Sequence, residues 1–143
     1  MSKISVVYWS QTGNTQAMAE AIGRGIEAAG KEAEVAGIGS VSLDELKKES
    51  VFALGCPAMG AEVLEETEME PFVSEVEGFA AGKTIALFGS YGWGDGQWMR
   101  DWVDRMSAAG AKVVNGEGLI CQEAPDDGAI AECESLGKQL ATM

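Results

Sequence analysis

The 143-residue chain contains no histidine. It therefore lacks the commonest metal ligand and the side chain that ordinarily titrates between about pH 5 and 8. Its cysteines, Cys56, Cys121 and Cys133, fall in no Cys-x-x-Cys spacing. That argues against a zinc site and against a disulfide framework, and each thiol is expected to be a small buried hydrophobe. Basic residues are scarce as well: 10 Lys and Arg stand against 23 Asp and Glu, a formal charge of −13. Such a surface repels nucleic acid and anionic membranes, and its natural partner is a basic protein patch. The acidic run Glu65-Glu66-Thr67-Glu68 is expected to be a solvated face. No apolar run approaches the length of a membrane span, and the one after Lys3 breaks at Ser10, so neither a spanning segment nor a signal peptide is expected. A cytoplasmic protein follows from this reading.

What is present is enough apolar content, 46%, to bury the core of a single domain over residues 1–143. Short apolar runs alternate with stretches whose apolar residues recur at three and four. Strands are expected over Lys3–Trp9, Ala33–Gly37, Val51–Cys56 and Thr84–Ser90, with a broken last one from Lys112 through Ile120. Helices are expected over Asn14–Ala29, Met69–Val76, Gln97–Ala108 and Asp126–Ala141, with a short helical turn at Ser42–Leu46. Runs such as Thr84-Ile85-Ala86-Leu87-Phe88 lack strict alternation, so both faces of these strands are covered. The fold class is α/β, a doubly wound five-stranded parallel sheet with helices on both faces.

Three loops at strand ends carry unusual chemistry. Ser10-Gln11-Thr12-Gly13-Asn14-Thr15 combines hydroxyls, amides and a glycine directly ahead of a helix, which makes an anion cradle. No Lys or Arg occurs within it and the nearest is Arg24, so it is not a nucleotide-hydrolysing phosphate loop. Cys56-Pro57-Ala58-Met59-Gly60-Ala61-Glu62 offers a polarizable thioether and a carboxylate that can accept from a ring N–H. Gly89-Ser90-Tyr91-Gly92-Trp93-Gly94-Asp95-Gly96 presents Trp93 on a glycine-rich loop. A phosphate in one loop and a flat ring between the other two describe a mononucleotide with a large ring system. Trp98, Met99, Trp102, Val103 and Met106 recur at helical spacing and are expected in the core, and Tyr91 leans towards packing. Asp95 suits a helix N-cap before Gln97 as readily as a tuning charge.

Taken together, these loops closely resemble those of the flavodoxins, specifically the short-chain clostridial-type members that bind FMN. The resemblance rests on Ser10-x-Thr12-Gly13-Asn14-Thr15, Ala58-Met59-Gly60-x-Glu62, Gly89 to Gly96 and Trp98-Met99-Arg100-Asp101, and it runs end to end. It implies strand order 2-1-3-4-5, with FMN at the switch between strands one and three; flavodoxin is itself the standard instance of that rule. It implies further that Ser10, Gln11, Thr12, Gly13, Asn14 and Thr15 hold the FMN phosphate. Pro57, Ala58, Met59, Gly60, Ala61, Glu62, Ser90, Tyr91, Gly92, Trp93, Gly94, Asp95 and Gln122 would surround the rest of the cofactor. Met59 and Trp93 would flank the ring, Glu62 would bond its pyrimidine edge, and the Gly60–Ala61 peptide would turn on reduction, which glycine eases. The chain departs from related sequences at Pro57, where a hydroxyl is expected, at Ala61, and near Gln122-Glu123, where Asn is common.

No basic residue lies in the three loops, and carboxylates crowd them, so adding negative charge to a bound flavin is costly. The expectation is a low-potential one-electron carrier with a stabilised neutral semiquinone, shuttling between semiquinone and hydroquinone and substituting for ferredoxin. It would be a redox carrier and not an enzyme, a monomer docking on the basic patches of ferredoxin-dependent oxidoreductases and reductases. A response-regulator receiver would need acidic residues where Trp9-Ser10 and Gly55-Cys56 stand. A small phosphatase or arsenate reductase would need an Arg soon after Cys56, and none occurs before Arg100. The stronger alternative is a flavodoxin-like quinone or azo-dye reductase using NAD(P)H, which requires an open ring face and positive charge for nucleotide phosphates.

Overall fold

The computed structural model describes residues 3–59, 63–92 and 94–143. The strands are β1 (Lys3–Tyr8), β2 (Glu32–Gly37), β3 (Val51–Gly55), β4 (Thr84–Tyr91), β5 (Lys112–Val113) and β6 (Leu119–Gln122). The helices are α1 (Asn14–Ala28), α2 (Leu43–Leu46), α3 (Met69–Glu77), α4 (Gln97–Ala108) and α5 (Asp127–Leu140). All strand pairs are parallel, in the order β2-β1-β3-β4-β5, the order implied by the family resemblance.

The fifth sheet position is shared. β5 pairs with Thr84 and Ile85 at the start of β4, whereas β6 pairs with Phe88 through Tyr91 at its end. Between them the chain leaves the sheet through a 3-10 turn in which Asn115 takes φ 64°. Asn tolerates this left-handed conformation better than most residues, and its amide exchanges two hydrogen bonds with Gln139, at 3.2 and 2.7 Å. The break in the last apolar run thus corresponds to a real excursion of the chain.

Consecutive side chains of a strand point to opposite faces, and here both faces are dry. Ile4, Val6, Ala53, Ala86 and Phe88 meet α1 and α5 on one side. Val7, Phe52, Leu54, Ile85 and Leu87 meet α2, α3 and α4 on the other. Met18, Ile22 and Ile26, aligned along α1, are fully buried, as are Trp98, Trp102 and Met106 of α4. The α1–α5 contact is closest at two glycines: a β-carbon on Gly25 would collide with the Glu134 carbonyl, and one on Gly137 with that of Ile22. The short helical turn expected near Ser42 is α2, with the Ser42 hydroxyl accepting from the Glu45 N–H at 3.3 Å. Among the described residues, no helix is long and apolar enough to cross a membrane.

Candidate functional site

β1 leads outward to β2 on one side, and β3 lies on its other side. The topology therefore opens a crevice at the carboxyl ends of β1 and β3, where α/β sheets bind ligands. The segments that follow β1, β3 and β4 all emerge at this edge of the sheet.

The first segment turns through Gly13, at φ 95°, which serves as the N-cap of α1 and provides no side-chain cap. The Ser10 hydroxyl oxygen accepts from the N–H groups of Gly13 and Gln16, at 3.2 and 3.4 Å, which curls the loop and leaves the hydroxyl proton to donate elsewhere. The backbone N–H groups of Gln11, Thr12, Asn14 and Thr15 have no acceptor among the described residues. Unsatisfied donors at the positive end of a helix dipole, with no cation among them, suit a phosphate that is held and not transferred. Gln11 and Thr12 are exposed and Asn14 half-buried. Thr15 is buried, with its hydroxyl 3.4 Å from that of Ser90.

The second segment leaves β3 through Cys56 and Pro57. Met59 and Val63 form an antiparallel bridge, with reciprocal hydrogen bonds of 2.9 and 3.1 Å, so the loop is closed at its base. Gly60, Ala61 and Glu62, assigned above to the flavin edge, lie outside the described residues, as does Trp93. Val63 itself is 40% exposed. The Cys56 thiol is buried, donates to the Pro57 carbonyl at 3.4 Å and is pushed up to about 12 by burial, so it is an inert packing group. Cys133 is equally buried, whereas Cys121 is only half-buried, which departs from the expectation for that thiol.

The acidic run Glu65–Glu68 is not the uniformly solvated face expected from sequence. Glu65 is buried, and its carboxylate accepts from the N–H groups of Thr67, Glu68 and Met69, at 2.9, 2.7 and 2.9 Å, and from the Thr67 hydroxyl. It closes the amino end of α3, two residues after the Met59–Val63 bridge. Glu68 accepts from the Trp9 indole at 3.1 Å, tying the end of β1 to the same place.

The third segment is braced from below. The Tyr91 ring lies 5.7 Å from that of Trp98, tilted by 49°, so Tyr91 packs as expected, and the Trp98 indole donates to the Cys56 carbonyl at 3.1 Å. Gln122 donates its side-chain amide to the Gly92 carbonyl at 3.3 Å, and the Glu123 N–H donates to the Tyr91 carbonyl at 2.7 Å. Two expectations are corrected here. The N-cap of α4 is Gly96, in the left-handed region, and not Asp95. A cation does reach the loop: Arg100, one turn into α4, pairs with the Asp95 carboxylate at 3.1 Å. No basic residue lies within the loop sequences, but a helix brings one back by a turn.

Ser90 joins the three segments. Its N–H donates to the Thr15 hydroxyl at 3.4 Å and its carbonyl accepts from the Ala58 N–H at 3.0 Å, while it lies in β4 where the third segment begins. Sequence reasoning missed Glu65, Trp9, Trp98 and Arg100 as parts of this framework. A carboxylate just ahead of a helix was the legible signal for Glu65; the other contacts span more than forty residues or depend on loop geometry. Among the described residues there is no group of three or more His, Cys, Asp or Glu able to hold a metal.

The flavodoxin family model matches residues 6–136. The chain is 49% identical over 140 residues to a flavodoxin of Clostridium beijerinckii, covering 98% of this chain and 100% of that one. It is 42% identical over 138 residues to that of Megasphaera elsdenii, covering 96% and 98%. The solution structure of the two-electron-reduced Megasphaera elsdenii flavodoxin superposes with a TM-score of 0.87 at 41% identity, over 98% of this chain and 99% of the other. With the strand order, the row of backbone donors at α1 and nearly full-length matches in agreement, the chain belongs to the flavodoxin family.

Proposed function

We propose that this protein binds FMN noncovalently across the three loops and carries single electrons at low potential in the place of a ferredoxin, cycling between the one- and two-electron-reduced forms. The observation that carries this reading is the row of N–H groups at Gln11, Thr12, Asn14 and Thr15 with no acceptor among the described residues, in a loop free of Lys and Arg. When bound, FMN supplies a ring that takes up and returns electrons one at a time. The chain's residues bind, orient and tune it. The α1 donors and the Ser10 and Thr12 hydroxyls hold the phosphate. As the family resemblance implies, Met59 and Trp93 would flank the ring, Glu62 would accept from its pyrimidine edge, and the Gly60–Ala61 peptide would supply the changeable hydrogen bond. The acidic surroundings disfavour further negative charge on the ring and lower its potential. The same charge favours docking on basic patches of ferredoxin-dependent oxidoreductases, with the carrier a cytoplasmic monomer.

An anaerobic titration of the FMN-loaded protein with dithionite tests this, read by its visible spectrum. The expected result is a long-wavelength blue intermediate before bleaching. Simultaneous two-electron bleaching with no intermediate would overturn the carrier reading in favour of an NAD(P)H-dependent quinone or azo-dye reductase. A protein that refuses FMN would overturn both.

A further inference from the structure

Arg100 is the fourth residue of α4, where the helix dipole presents its positive end and an acidic side chain would be the stabilising choice. The first turn of α4 carries no acidic residue, so helix stability does not explain a cation there. The guanidinium instead turns back over the helix start. Nη1 donates to the Asp95 carbonyl at 3.0 Å, and Nη2 donates to the Asp95 carboxylate at 3.1 Å and to Gln97 Oε1 at 2.9 Å. Gly96 lies between this fork and β6, since a β-carbon there would sit 3.6 Å from Arg100 Nη1 and 3.1 Å from Ile120 Cδ1. The far end of the same loop is held by Gln122 at Gly92.

We infer that Arg100 is a positioning residue for the glycine-rich loop: its fork fixes the Asp95–Gly96 end of the segment that carries Trp93, and so sets how tightly the flavin is retained. This rests on the FMN reading above. An exposed ion pair contributes little through charge alone. The distinguishing element is a planar fork that takes a backbone carbonyl and a carboxylate through two separate nitrogens in fixed geometry, which the single ammonium nitrogen of a lysine does not reproduce.

The test compares Arg100→Lys, which keeps the charge, with Arg100→Gln, which removes it, by two readouts: FMN dissociation, and backbone ¹⁵N order parameters of Gly94, Asp95 and Gly96 in the flavin-free protein. Both variants are expected to weaken FMN by about three- to tenfold. Both are also expected to lower the order parameters at 94–96 while the rest of the backbone stays as in the wild type. Arg100→Lys behaving as wild type by both readouts would overturn the inference, because charge would then suffice. A loss of order spread through the whole backbone would overturn it too. Should the wild type take up no FMN, the functional reading fails, and the order parameters still decide whether the fork holds the loop.

Discussion

Burial alone would raise the carboxyl of Glu65, but hydrogen bonds from the Thr67 hydroxyl and from the N–H groups of Met69, Thr67 and Glu68 outweigh it and hold the group at about 2. A carboxyl depressed on folding stabilises the native state fully above its unfolded value, about 4.3, and this contribution is lost as pH falls through about 2. Glu65→Gln should therefore lose about 2 kcal/mol at neutral pH. Its urea midpoint should fall less than that of the wild type between about pH 4.5 and 2. Glu123 offers the opposite opportunity. It adopts φ 60°, a conformation that costs most side chains about 1 kcal/mol and that Asn or Gly accepts readily. Glu123→Asn should raise the melting temperature by about 3 °C in a thermal scan. The family resemblance implies Asn near Gln122-Glu123, and φ 60° at Glu123 is a conformation that Asn accepts.

The helices and strands were largely legible because burial on both faces of the sheet writes itself as unbroken apolar runs, and helical faces as lines such as Met18-Ile22-Ile26. Strand ends moved by a residue or two, for instance from Trp9 to Tyr8 and from Ser90 to Tyr91, because backbone pairing and not side-chain polarity ends a ladder. The sheet order was available only through resemblance to a family. The row of backbone donors ahead of α1 was legible because its residues are contiguous. The braces Trp98–Cys56, Trp9–Glu68 and Thr15–Ser90 were not, since residues 42 to 75 positions apart leave no local pattern. Nor were Gly25 and Gly137, which read as weak helix positions yet let two helices touch backbone to backbone. Gly137→Ala should cost about 3 kcal/mol, measured by urea unfolding, where helix propensity alone would predict a gain.

At the scale of the whole molecule, a net charge of −13 makes association with a basic partner a long-range event. Stopped-flow rates of electron delivery should fall by about tenfold or more between about 10 and 300 mM salt, as screening shortens the reach of the field. Rates unchanged by salt would remove charge from the account of docking. The pairing of α1 with α5 bears on something else, the order in which the chain becomes competent. β1 is flanked by β2 and β3, and α1, made early, is sealed by a helix translated more than a hundred residues later. All three loops precede residue 97, whereas the apolar cluster that packs α1 is completed by Cys133, Leu136 and Leu140 of α5. On the proposed function, flavin uptake is therefore expected to follow translation of the last helix.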